Sequence, residues 1–312
     1  MSVVAEPAVG RTLTLQDERL RAVVLPDHGC DIASIVELET GVELLFQTPW
    51  GRRDRRYLPG RGDSQTAWLD RYGGGWQVLC PNAGFERDGH GVRWGYHGEA
   101  CLLAWDVIDA GEAHAELEVA LATAPLHLWR RISLAAGTLR IEERLTNDSA
   151  ADAEVAWVQH PAFGPPLVVG ASIETSAGRL RADAHIPGDL LRAGGAWAWP
   201  HAEDGAGRPL DLRRLPGADE PRAVFGWLEG FARHEAAIVN DRLGLAARLR
   251  WSGDVWPCAW LWQEVHATAA YPWFGRAHAV AIEPANAAPG GELLRVPALG
   301  SREGWIELAV ER

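Results

Sequence analysis

Short runs in which apolar and polar residues alternate recur along the whole chain, and that period of two belongs to strands with one face buried and one face wet. In LRIEERL, Leu139, Ile141, Glu143 and Leu145 point one way and Arg140, Glu142 and Arg144 the other. Similar runs stand at RAVVLP (21–26), DIASIVEL (31–38), AELEVALA (115–122), AAIVN (236–240), LAARLRW (245–251), AHAVAIEP (277–284) and WIELAV (305–310). Turn chemistry separates them: Pro26-Asp27-His28-Gly29, Ala136-Gly137, Thr146-Asn147-Asp148 and Pro289-Gly290-Gly291. In these, Gly supplies positive φ and Pro presets the bend. Long runs with helical periodicity are not evident. Many short strands at fairly even spacing predict an all-β fold, an antiparallel sandwich or barrel, in place of alternating α/β units.

Two stretches interrupt the pattern, 51–77 and 192–221, both rich in Gly, Pro and charge. They read as long loops, either cleft walls or surface insertions. Neither a composition break nor an internal repeat marks a linker, so the 312 residues are read as one domain, 1–312. A net charge of −12 argues against a nucleic-acid partner, which needs clustered positive charge. The start MSVVAEPAVGRTLTLQDERL lacks the basic-then-apolar layout of a signal peptide, and apolar runs stay shorter than a membrane span, so a cytoplasmic protein is expected. Cys30, Cys80, Cys101 and Cys258 lie far apart and are expected to be buried free thiols, without zinc or disulfides.

Sixteen tryptophans is a high count, clustered at Trp50, Trp68, Trp76 and Trp94 and again at Trp251, Trp256, Trp260, Trp262 and Trp273. Most are expected in the core, with two or three lining a cleft, where a flat indole suits the C–H face of a sugar ring. Three histidines stand in unusual company. His97 sits between Trp94-Gly95-Tyr96 and Gly98-Glu99; His160 follows VAWVQ and precedes Pro161; His266 lies in WQEVHAT. Pro161 is expected to stop its strand and leave His160 at a rim, where an imidazole can either move protons near neutrality or cap the strand. Glu283 precedes Pro284 at the expected end of an apolar strand. It is either a solvated strand-end carboxylate or, if desolvated, one whose pKa rises toward that of a general base.

GYHGEA with His97, LTNDSAADAEVAWVQHPAFG with His160 and AIEPANAAPGG with Glu283 occur in an order that resembles the aldose 1-epimerase (galactose mutarotase-like) family over nearly the whole chain. The resemblance implies a single large antiparallel β-sandwich and interconversion of α and β sugar anomers, with no cofactor or metal and a small sugar as partner of a monomer or homodimer. It implies Glu283 as base, His160 as acid and His97 as a hydrogen-bond donor to the ring oxygen. Where the family usually carries a G-R-x-A-N-R segment this chain has RYGGGWQVLCPNAGFE (71–86), so the sugar does not carry over. From that stretch Arg71, Gln77 and Asn82 are candidate contacts to hydroxyls or to an anionic group, as is Glu264 in LWQEVHA. A non-catalytic carbohydrate-binding protein on the same fold is the alternative. A glycoside hydrolase is the weaker rival, since it needs two flanking carboxylates.

Overall fold

The alternating runs pair into two large antiparallel sheets stacked face to face. The structure is a computed structural model and describes residues 4–6, 10–53, 62–186, 190–217 and 219–312. One sheet has eight strands, with Thr138–Asn147 paired to Leu126–Ala135 on one side and Ser301–Glu311 on the other. The other has twelve, and its middle runs Asp31–Glu37, Trp76–Leu79, Val158–Phe163, His278–Ala285, Cys258–Val265 and Arg222–Glu229. Strands expected at 31–38, 236–240, 245–251 and 277–284 appear as Asp31–Glu37, Glu235–Asn240, Leu245–Trp251 and His278–Ala285. The Ala136-Gly137 turn joins its two strands with φ of 50° and 76°, both positive as a two-residue hairpin with the right twist requires. No helix among the described residues is long and apolar enough to cross a membrane.

The main core lies between the sheets, where Leu128, Leu139, Ile141 and Leu308 meet Ile32, Trp76, Val280 and Ile282. Glu143 shares the inward face of its strand with these leucines and is as buried as they are. An unpaired carboxylate there would be costly, but Glu143 faces the equally buried Arg130, whose Nε donates to it at 2.6 Å. Its second oxygen accepts Trp157 Nε1 at 3.0 Å and Gln159 Nε2 at 2.6 Å, and Arg130 also donates to the Cys30 carbonyl at 3.1 Å. All four cysteines are buried and free.

A second apolar cluster sits on the opposite face of the twelve-stranded sheet. Its cover includes the helix Ser64–Arg71, within the 51–77 stretch that the sequence reads as a loop and of which 54–61 lie outside the described residues. Asp63 caps that helix by accepting the Thr66 N–H at 2.7 Å, and Trp68 and Tyr72, four residues apart, stack at 4.6 Å on its buried side. Asp70 ties the helix down: it pairs with Arg53 at 2.9 Å and accepts the Tyr271 hydroxyl at 2.7 Å. The chain then turns through Gly74 and Gly75, with φ of 85° and 89°, where a Cβ would sit 2.0 Å from the Phe46 oxygen and 2.5 Å from that of Ile32. Only glycine fits such an approach. The 192–221 stretch is likewise not a bare loop. It holds the short strands Ala196–Ala198, His201–Glu203 and Pro209–Asp211, and the first of them extends the edge of the large sheet.

Candidate active site

His160 and Glu283 lie on adjacent strands in the middle of the large sheet, and neither ends its strand. Val158–Phe163 continues through Pro161 and His278–Ala285 through Pro284, correcting the expectation that each proline stops the pairing. The ladder pairs Val158↔Ala285 and Ala162↔Ala281 bracket a stretch in which both prolines withhold their N–H groups, and that register sets His160 opposite Glu283. On the far sides His160 faces Gln77, Glu283 faces Trp260, and Trp260 faces Trp227. Directly opposed residues share a face. One row of side chains therefore crosses the sheet on the face turned away from the main core.

Glu283 rises from a bare floor, because the neighbouring positions on its face are Ala279, Ala281 and Ala285. Its carboxyl oxygen stands 3.7 Å from His160 Nε2, and both residues are almost wholly buried. Burial disfavours whichever form is charged, pushing Glu283 up to about 8 and His160 down to about 4. Across the neutral range the pair thus holds one proton, on the carboxyl as a neutral pair or on the imidazole as an ion pair. These two arrangements bind the same number of protons, so pH does not choose between them.

His97 reaches the same spot from the loop after Val92–Trp94, with a left-handed φ of 62°. Its Nδ1 accepts the Gly84 N–H at 3.0 Å, which leaves Nε2 to carry the proton of the neutral ring. Desolvation, and then the neighbouring His160, hold its pKa well below the ordinary value. The two imidazoles are 5.7 Å apart, and Trp68 packs edge-on against His97 at 4.5 Å. Tyr72, Tyr96, Trp262 and Trp273 complete the inner wall of a cleft of about 770 Å³.

Four tryptophans line this cleft, Trp68, Trp260, Trp262 and Trp273, while Trp76, Trp251 and Trp256 are core. Asn82 and Glu264 also line it, with much of their bonding capacity taken up by the fold. Asn82 donates to the carbonyls of Phe85 and Gly95, each at 2.9 Å, and so braces the His97 loop. Glu264 accepts the N–H groups of Ala267 and Thr268 and the Thr268 hydroxyl. Gln77 and the exposed Arg71 open instead onto a small cavity behind the helix with His28 and Asp31, and Gln77 donates to Asp31 at 2.9 Å. His266 packs on His278 at 5.3 Å. Tyr72 and Tyr96 were not singled out from the sequence; the Asp63 cap followed by Trp68 and Tyr72 at helical spacing is the signal that finds the first of them. Among the described residues, no cluster of three or more His, Cys, Asp or Glu side chains is placed to hold a metal ion.

An aromatic cleft over a buried His–Glu pair, on the outer face of a large antiparallel sandwich, is built here on the galactose mutarotase-like fold. The chain superposes on the Slr1438 protein of Synechocystis sp. PCC 6803 with a TM-score of 0.71 at 18% identity, covering 100% of this chain and 99% of that one. An Escherichia coli K12 protein provisionally named an aldose 1-epimerase gives 0.69 at 18%, covering 96% and 98%, and a galactose mutarotase-like protein from Lactobacillus casei ATCC 334 gives 0.66 at 17%, covering 96% and 100%. At these identities the likeness is one of fold. No curated protein matches the sequence. The chain belongs to the family described as a domain of unknown function, DUF4432, whose profile matches residues 9–185.

Proposed function

We propose that the protein is an aldose 1-epimerase, a mutarotase that interconverts the α and β anomers of a hexose or of a modified, including anionic, hexose. The observation that carries this reading is the buried His160–Glu283 pair, 3.7 Å apart at the base of an aromatic cleft. In the ion-pair form, Glu283 takes the proton of the anomeric hydroxyl as the C1–O5 bond breaks, and the His160 imidazolium protonates O5. The products are the open-chain aldehyde, a neutral carboxyl and a neutral imidazole, so the proton count of the pair is unchanged. Rotation about C1–C2 presents the other carbonyl face. On reclosure O5–H attacks C1 and returns its proton to His160, while Glu283 gives its own to O1. His97, a fixed N–H donor beside His160, holds the ring oxygen, and the indole faces take the C–H face of the sugar. Each positioned proton transfer contributes roughly 10² to 10⁴ in rate. The names of the structural neighbours agree with this chemistry.

Polarimetry or NMR exchange on freshly dissolved α-glucose, α-galactose and an anionic hexose tests the reading. Faster approach to equilibrium for at least one sugar is expected. Uncatalysed rates for all of them, with sugar binding intact, would replace the enzyme with a carbohydrate-binding protein on the same fold.

A further inference from the structure

A proton held between His160 and Glu283 makes a demand on the far side of the imidazole. The carboxyl stands 3.7 Å from Nε2. With the proton on the carboxyl, Nε2 must be the bare nitrogen, so the neutral ring carries its hydrogen on Nδ1; with the proton on the ring, both nitrogens carry one. Nδ1–H is therefore present in both arrangements. A buried N–H without an acceptor is costly, and His160 Nδ1 is enclosed and makes no hydrogen bond to any other described residue.

An acceptor stands on the next strand. Gln77 is buried and directly opposed to His160 in the ladder, where facing Cβ atoms lie about 4.5–5.5 Å apart. Its amide has one orientation: Nε2 donates to Asp31 at 2.9 Å, and a carboxylate offers only acceptors, so the reverse would set oxygen against oxygen. Asp31 lies in turn 3.8 Å from Arg52. The remaining amide atom, Oε1, is enclosed and without a partner. An unmatched acceptor and an unmatched ring nitrogen thus occupy facing residues. Beside Gln77 a chamber of about 10 Å³, lined also by Trp68 and Tyr72, has room for about one water. Those two rings pack against the imidazole, at 6.2 and 5.8 Å between centroids.

We propose that Gln77 is a positioning residue: its carbonyl oxygen, directly or through one water, holds a proton on His160 Nδ1 and so keeps Nε2 as the nitrogen that exchanges a proton with Glu283. Asp31 orients the amide, and the amide orients the ring. The catalytic consequence rests on the mutarotase reading; the tautomer does not.

The test is ¹⁵N NMR of the histidine rings, with the His160 signals identified by their loss in His160→Asn, on the full wild-type chain and on Gln77→Leu and Gln77→Glu, alongside polarimetry. Wild-type Nδ1 should show the shift of a protonated nitrogen across the neutral range. Gln77→Leu, close in size but without an acceptor, should move the neutral ring toward the Nε2–H tautomer. It should also lower kcat about tenfold, the factor one buried hydrogen bond supplies, with KM within about twofold. Gln77→Glu, which keeps an acceptor at the same place, should restore Nδ1–H and most of the rate. A bare Nδ1 in the wild type overturns the proposal whether or not the variants fold. So does a Gln77→Glu variant that behaves as Gln77→Leu, or an unchanged Nδ1–H in Gln77→Leu, which would assign the proton to the ring's own backbone carbonyl. A tautomer that follows Gln77 in a protein that accelerates no sugar supports the positioning and removes the mutarotase reading.

Discussion

Replacing Glu283 by Gln preserves its size and removes its ability to ionise, and burial makes that loss readable in the pH dependence of folding. Unfolded, the carboxyl titrates near 4.5; folded, desolvation raises it to about 8. Between those values the native state keeps a proton that the unfolded chain has released, so this contribution is fully present below 4.5 and is lost as pH rises toward 8. His160 runs the other way, from 6.5 unfolded to about 4 folded, and offsets Glu283 only below 6.5. From pH 6.5 to 8 Glu283 therefore acts alone within the pair, and at ~1.4 kcal/mol per pH unit the wild type loses about 2 kcal/mol that Glu283→Gln retains. Urea unfolding of both proteins at the two pH values isolates the effect, since other titrating groups are common to both. With a denaturant slope of about 3 kcal/mol/M, the midpoints should diverge by roughly 0.7 M. Parallel midpoints at pH 6.5 and 8 would show that the carboxyl is hydrated in the native state and would remove the basis for its role as a proton carrier.

The same pair sets a bell-shaped profile for mutarotation: activity should fall as pH drops through about 4, where both groups are protonated, and as it rises past about 8, where neither is, measured as kcat/KM against pH. His160→Asn and Glu283→Gln should each lower turnover by about 10² to 10⁴ while largely sparing sugar affinity, as polarimetry and calorimetry on the same samples will tell. Glu143→Leu should destabilise the fold by about 3–5 kcal/mol in urea titration, because it leaves Arg130 charged and unpaired in the core. Gly74→Ala, which drives a methyl into the Phe46 carbonyl at a φ of 85°, should cost more than the ~1 kcal/mol of an ordinary Gly position and lower the melting temperature accordingly.

The sandwich could be read from the sequence because its information is local. Alternation such as Leu139, Ile141, Glu143, Leu145 states which face is buried, and Ala136-Gly137 states where the chain turns. The helix Ser64–Arg71 escaped that reading, since eight residues span barely two turns and carry only a weak apolar stripe. Prolines misled in a different way. Pro161 and Pro284 look like strand ends, yet they sit inside two adjacent strands, diagonal to each other across one seam. The cleft's central row is non-local: His160, Glu283 and Trp260 are aligned by strand register alone. Their convergence could be expected only through the resemblance of the three histidine- and glutamate-bearing segments to a family, and that route gave nothing on Tyr72 or Tyr96.

The Arg130–Glu143 pair acquires a further meaning from the missing ladder bonds. With two prolines loosening the seam between the His160 and Glu283 strands, the first is held from behind, by Trp157 and Gln159 gripping Glu143 through the sheet. The position of one proton carrier thus leans on a polar anchor in the core behind the sheet. A substitution at Arg130 or Glu143 is therefore expected to reach the cleft through the His160 strand as well as to weaken the core.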